Sequence, residues 1–94
     1  MFSKEKYLTR GVQAEIPLEL QLFMWECITN MPDPKDYLQV FRLSVSDGVQ
    51  IVTHEQEEPE YSKKYRLNTG TSVTQKVYVI DDGEYSTMLL AEEY

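Results

Sequence analysis

One cysteine (Cys27) and one histidine (His54) are all that this 94-residue chain has of the side chains most used for chemistry near neutral pH. A single cysteine excludes an internal disulfide and gives no sign of an oxidising compartment. There is no glycine-rich phosphate loop, no Cys/His spacing of a zinc site and no Asp-x-Asp-x-Asp-Gly run of a calcium loop. The longest apolar run, Leu22 to Trp25, falls far short of the roughly 20 residues that a membrane span needs. The first six residues lack the apolar stretch of a signal peptide. A cytoplasmic protein without cofactor or metal is the expectation. Bases are scarce too, nine against sixteen acids for a net charge of −7, which opposes non-specific binding to a phosphate backbone. Such acidity reads as solubility; mimicry of a nucleic-acid surface would need the acids aligned along one face.

The chain nevertheless has enough apolar residues, 41%, to build a core, and its length suits one domain over residues 1–94. Its most informative feature is Ser46-Asp47-Gly48, between strand-like runs over 37–45 and 49–56. A two-residue Asp47-Gly48 turn pairs Val45 with Gln50 and sets Val49 and Ile51 opposite the face of Phe41, Leu43 and Val45. A three-residue turn with Gly48 in a bulge pairs Val45 with Val49 and gathers all five on one face. Burial specifies register, so the three-residue turn is expected. It leaves Leu38, Val40, Arg42, Val52 and His54 on a second face too apolar to be simply solvated.

Before the hairpin, residues 5–12 read as a short strand with Gly11 at a bend. Pro17 suits a first helical position, Glu19 favours the positive end of the helix dipole, and Pro32 stops the segment near Met31. On a 3.6-residue wheel Leu20, Phe23, Met24, Cys27, Ile28 and Met31 form the core face, and Glu19, Glu26 and Asn30 a polar stripe. Leu18, Leu22 and Trp25 form a second apolar stripe flanked by Gln21 and Thr29. Either the N-terminal segment or the C-terminus lies over it, or it is an exposed patch for a partner or a second copy.

After the hairpin, 55–60 reads as an acidic loop and 61–67 as a strand with Tyr61, Lys63, Tyr65 and Leu67 on one side. Residues 72–80 read as a strand with Val73, Val77 and Val79 on one face and Tyr78 and Ile80 on the other. Asp82-Gly83 marks another turn. Met88 to Glu93 are helix formers, yet the turn before them favours a returning strand over 86–93.

Reactive constellations are hard to assemble. A lone His beside a strand and a Cys on a core helix face are more often structural, and a Cys27–His54 dyad has no support in the spacing. The acids at 55–60 and 81–84 match no cation loop. Tyr61 to Arg66 interleaves aromatics with cations, a pattern able to stack single-stranded bases, but four glutamates precede it. The simpler expectation is that Lys63, Lys64 and Arg66 pair across strands with acids. Seven tyrosines suit a recognition surface or a core rimmed by hydroxyls.

Thr9-Arg10-Gly11-Val12, Ile16-Pro17 with Glu19-Leu20-Gln21 and Trp25, Asp36 to Phe41 and Thr87 to Tyr94 resemble a family of small bacterial proteins, domain-of-unknown-function family number 960 of Gram-positive bacteria. The resemblance covers the whole chain and implies origin without transferring any site residue. The residues themselves point to an α+β domain: an antiparallel, twisted sheet of about five to six strands on one amphipathic helix, curling toward a barrel or covered on its second face by a partner copy. The expected role is a non-enzymatic protein-interaction module binding a protein partner or a second copy as a homodimer, with Leu18, Leu22, Trp25, Tyr61 and Tyr65 as interface candidates. An acidic inhibitor of a basic cleft and a single-stranded nucleic-acid binder are the alternatives.

Overall fold

A computed structural model describes Phe2 and residues 4–94. Its elements are strands β1 (Glu5–Leu8), β2 (Leu38–Ser46), β3 (Val49–Gln56), β4 (Tyr61–Leu67), β5 (Gln75–Asp81) and β6 (Tyr85–Leu90), helices α1 (Arg10–Glu15) and α2 (Leu18–Asn30), and a 3-10 turn over Ala91–Glu93. The six strands form one open sheet in the order β1-β6-β5-β2-β3-β4. The sheet is mixed rather than wholly antiparallel, because β1 runs parallel to β6 while every other pair is antiparallel. It does not close into a barrel: β1 and β4 remain as edges.

The β2–β3 turn departs from the expected register. Val45 pairs with Gln50 and Ser46 with Val49, so Asp47-Gly48 is a two-residue turn. Both central residues have positive φ, 51° at Asp47 and 75° at Gly48, as a type I′ hairpin requires. That turn matches the twist of the flanking strands, and it outweighs the gain from burying Val49. Phe41 therefore pairs with His54 and Leu43 with Val52, and these four are buried, while Val45 toward the turn on the same face is exposed. Ile51 lies on the opposite face with Leu38, Val40 and Arg42, the reverse of the sequence expectation for Ile51, Val52 and His54.

The N-terminal segment also differs. The strand stops at Leu8, and the Thr9 hydroxyl accepts the Val12 N–H at 3.3 Å, capping a six-residue helix where a bent strand was expected. The structure thus has two helices, not one. Val12 of α1 and Ile16 just after it join Leu20, Met24, Cys27 and Ile28 of α2 over Phe41, Leu43, Val52, Val77, Val79 and Met88. The core face of α2 is as expected from its period, and Glu19, Glu26 and Asn30 are exposed. Pro17 sits one position before the helix, where its carbonyl accepts from Leu20 and Gln21. Gln21, expected at the margin, is buried because its amide donates to the Ile16 carbonyl at 2.8 Å and locks the α1–α2 elbow.

The C-terminal segment is the returning strand plus one 3-10 turn, and it fastens the N-terminal helix. The Glu93 carboxylate accepts from the Thr9 hydroxyl at 2.6 Å, the Gly11 N–H at 3.2 Å and the Leu90 N–H at 2.8 Å. These bonds hold its pKa below the ordinary value, the Thr9 bond most of all. A Cβ on Gly11 would lie 2.7 Å from that carboxylate. The clash is with the tip of a flexible side chain, so the cost of Gly11→Ala lies in displacing the latch. We expect Gly11→Ala to destabilise the wild-type chain. In a Glu93→Ala background the same change should stabilise by about 0.5–1 kcal/mol through helix propensity. Urea unfolding of the four-member cycle checks this reversal; a Gly11→Ala effect of the same sign in both backgrounds would refute it.

Candidate functional site

The two groups suited to neutral-pH chemistry are both in the core. His54 is 0% exposed, stacked on Phe41 with ring centroids 4.4 Å apart. Its Nε2 lies 2.6 Å from Gln39 Oε1. The Gln39 amide nitrogen donates to the Asp36 carbonyl and to Gln56 Oε1 at 2.7 Å, leaving its oxygen to accept, so the network assigns the proton to His54 Nε2. Nδ1 is buried without a partner. Burial pushes the His54 pKa down to about 4. Burial likewise raises the Cys27 thiol to about 11 and raises the Tyr65 hydroxyl beside it. Cys27 and His54 do not form a dyad: Cys27 meets Tyr65, and His54 meets Gln39. Gln39, Gln50 and Gln56, which the sequence reading passed over, carry the buried polar wiring. Gln50 bonds both ways to Val73, and Gln56 accepts the Asp36 N–H and donates to the Pro59 carbonyl.

Strand alternation splits the Tyr61–Arg66 cluster. Tyr61, Lys63 and Tyr65 take the core-side parity: Tyr61 meets the edge of His54 at 5.3 Å and Tyr65 that of Phe23 at 5.1 Å, with Lys63 over the Tyr65 ring. Lys64 and Arg66 take the other side. The expected cross-strand ion pairs do not form, since Lys63, Lys64 and Arg66 face His54, Thr53 and Ile51 in register. Among the described residues the ion pairs are Lys35–Asp33 and Arg42–Glu55, each at 2.8 Å.

The second sheet face is an open surface. Both helices lie on the other side of the sheet. Rows across it run Tyr7, Thr87, Ile80, Leu38, then Leu89, Tyr78, Val40, Glu55, and then Lys76, Arg42, Thr53, Lys64. Leu89 and Ile51 are buried within it, while Leu38, Val40, Tyr78 and Ile80 are half-buried. Tyr7 packs edge-on to Tyr85 and Tyr78 to Tyr94, with Lys76 Nζ 5.4 Å from the Tyr78 ring centroid. A groove of about 480 Å³ opens on this face, lined by Leu38, Val40, Tyr61 and Tyr78, by the bases Arg42 and Lys76, and by Glu55, Glu57 and Glu60. That the sheet face groups Arg42, Lys64, Arg66 and Lys76 on one side depends on register and was not visible in the sequence.

The second stripe of α2 divides. Trp25 is half-buried, packed on the core and covered by Lys6, whose Nζ stands 5.7 Å from the ring centroid. The N-terminal strand thus lies over Trp25, as one of the two expectations held. It leaves Leu18 66% and Leu22 58% exposed. No grouping of three or more metal-ligating side chains occurs among the described residues, and no helix there is long and apolar enough to cross a membrane.

Comparison with known proteins places the chain. A family model described as "Staphylococcal protein of unknown function (DUF960)" matches residues 5–93. The chain belongs to this family. A crystal structure of a protein of unknown function from Enterococcus faecalis is similar to it, with a TM-score of 0.87 and 25% identity over 97% of this chain and 91% of that one. No curated protein matches the chain. The residues quoted for the resemblance meet in space: Thr9 and Gly11 lie against Glu93 in this DUF960 member. Their role is in holding the ends of the fold together.

Proposed function

We propose that this DUF960 protein is a non-enzymatic, cytoplasmic interaction module whose contact surface for a protein partner is the open face of the sheet. The observation that carries the reading is the combination on that face: half-buried Leu38, Val40, Tyr78 and Ile80, with both bases (Arg42, Lys64, Arg66, Lys76) and acids (Glu55, Glu57, Glu60) around them, and both helices on the other side. Apolar and aromatic groups with arginine are what binding hot spots are made of. The burial of His54 and Cys27 supports the non-enzymatic part, since neither is presented to a substrate. Of the earlier interface candidates, Leu18 and Leu22 are fully available, whereas Trp25, Tyr61 and Tyr65 are half-buried and engaged in packing.

The test is capture from nuclease-treated host lysate with wild-type, Val40→Asp and Leu18→Ser baits, read by quantitative mass spectrometry. Wild type should retain a protein at near-stoichiometric yield. Val40→Asp should reduce retention roughly tenfold or more, as a buried Val-sized contact is worth about 1.5–3 kcal/mol. Equal retention by Val40→Asp removes the sheet face from consideration, and loss with Leu18→Ser alone moves the contact to α2.

A further inference from the structure

The groove on the open sheet face is charged at both ends, with opposite sign. Its charged lining is Arg42, Glu55, Glu57, Glu60 and Lys76. Arg42 and Glu55 neutralise each other in an ion pair at 2.8 Å. Glu57, Glu60 and Lys76 take part in no ion pair among the described residues. Register fixes where these three stand. Lys76 on β5 lies opposite Arg42 on β2, four residues along that strand from Leu38. Val40 lies opposite Glu55, so Glu57 leaves the end of β3 at about the level of Leu38, and Glu60 enters β4 from the same turn. Lys76 and the two glutamates therefore occupy opposite corners, with β2 between them. At about 4.8 Å per strand and 3.3 Å per residue, the Cα positions of Lys76 and Glu57 are roughly 16 Å apart. Leu38, Val40 and Tyr78 line the groove between the corners. Outside it, Lys64 stands in the same row as Lys76, and Glu58 shares the turn of Glu57 and Glu60.

A ligand of one sign meets repulsion at one corner: a phosphate backbone or acidic peptide at Glu57 and Glu60, a basic peptide at Lys76. The complement of both corners carries both signs with an apolar stretch between them. We propose that the partner bound on the sheet face presents an extended segment with an acidic and a basic side chain four residues apart and an apolar side chain midway. The acid meets Lys76, the base meets Glu57 and Glu60, and the apolar residue lies over Val40 and Tyr78. This rests on the reading of the sheet face as the contact surface and names what that surface accepts. In an extended segment residues i, i+2 and i+4 point the same way and span about 13 Å, and the length of the charged side chains closes the remainder. Residues four apart on a helix are separated by only about 6 Å along its axis, too little to reach both corners. Charges of opposite sign at the two corners select by rejection as well as attraction, since a segment with either charge reversed opposes a like charge.

Panning a phage-displayed random peptide library against the full chain tests this, followed by calorimetric titration of synthetic copies of the enriched peptides. We expect enrichment of peptides with an acid and a base four residues apart around an apolar residue. Lys76→Glu, and separately Glu57→Lys with Glu60→Lys, should each weaken such a peptide at least about tenfold. Glu57 and Glu60 are exposed and Lys76 half-buried, and circular dichroism verifies the fold of each variant. A peptide whose acid is replaced by lysine should regain binding to the Lys76→Glu variant, a rescue that a misfolded variant could not give. Enriched peptides of a single sign overturn the proposal. So does an absence of enrichment, or a bipolar peptide that binds wild type and both charge variants alike. The lysate capture separates this failure from that of the underlying reading. A partner lost with Val40→Asp but kept by both charge variants leaves the sheet face as the contact and removes the bipolar segment. A partner kept by Val40→Asp as well removes the sheet-face reading itself.

Discussion

Lowering the pH from 6.5 to 4 will cost this protein about 3 kcal/mol through His54 alone. The histidine is neutral and fully buried, with a folded pKa depressed to about 4 against an ordinary 6.5. Between those values the unfolded chain binds a proton that the folded chain does not, so stability rises with pH across the window. The contribution is fully present above pH 6.5, declines as the pH falls and is gone below about 4. About 2.5 pKa units at 1.36 kcal/mol each give the magnitude. Geometry explains why protonation is refused: a second proton would go on Nδ1, which has no acceptor. The neighbours on the ring are Phe41, Tyr61 and Gln39, and the residue opposite in register on β4 is Lys63; none is anionic. Urea unfolding at several pH values measures the slope. His54→Gln, whose amide nitrogen reaches about as far as imidazole Nε2, should flatten the slope between pH 4 and 6.5. The exposed acids whose pKa values are lowered, Asp33, Asp82 and Glu93, remain in both proteins, so the difference between the two profiles isolates His54. Identical profiles would mean that His54 titrates normally in the folded state.

The substitution with the largest expected effect at constant pH is Gln39→Leu, at about 2–4 kcal/mol. Leucine fits the apolar surroundings and fills much of the same volume, so a hydrophobic ledger alone would predict a gain. The loss comes from the partners. Without the Gln39 oxygen the His54 Nε2–H is stranded in the core, and the Asp36 carbonyl loses the amide that held it at 2.9 Å. Gln56 Oε1 keeps only the Asp36 N–H. A buried donor without an acceptor carries its full desolvation cost, whereas removal of both partners carries much less. The double variant Gln39→Leu with His54→Phe should therefore be more stable than Gln39→Leu alone. The phenyl ring also preserves stacking on Phe41. A single-variant cost below about 1 kcal/mol, or a double variant that is worse, would show that the bonds are dispensable. Unfolding midpoints at an unchanged denaturant slope are the measure.

Much of this architecture was legible from period alone. Leu20, Met24, Cys27 and Ile28 fall on one side of a 3.6-residue wheel, and they are the residues of α2 that the core buries. Tyr61, Lys63 and Tyr65 alternate with Ser62, Lys64 and Arg66, and the sheet splits them as a period of two demands. What misled was the assumption that burial means apolar. Val49 and Ile51 seemed to demand the face of Phe41, yet that face takes Gln50, Val52, His54 and Gln56. Apart from His54 Nδ1, the polar atoms of these side chains bond to one another or to the backbone, which keeps the cost of burying them low. The Asp47-Gly48 dipeptide itself carried the right answer, because its demand for positive φ at two positions is local and does not depend on the rest of the fold. Gly11 misled in the opposite way: what explains it is Glu93, eighty-two residues away, which no local pattern reveals.

The candidate surface was less accessible still. Which of Arg42, Lys63, Lys64, Arg66 and Lys76 share a side depends on strand parity and on the neighbour order β5-β2-β3-β4, in which β5 crosses back to lie beside β2. Leu18 and Leu22 were identifiable by spacing as a stripe the core did not need. Cover over Trp25 was one of two expectations, and which segment supplies it was not legible, because that depends on β1 lying beside β6 and so bringing Lys6 over α2.

That neighbour order has a bearing on how the molecule is made. β6 comes last of the six strands in sequence order, yet it is an interior strand, flanked by β1 and β5, and Glu5 finds its partner in Tyr85. A growing chain can assemble the β2-β3-β4 meander from short-range pairings and add β5 to it, while β1 and α1 wait without a partner. Val77 and Val79 line an unfilled edge until Leu90 and Met88 arrive opposite them. The β1–β6 ladder and the Glu93 carboxylate thus join segments some eighty residues apart, which makes this the pairing with the largest loop to close in the sheet.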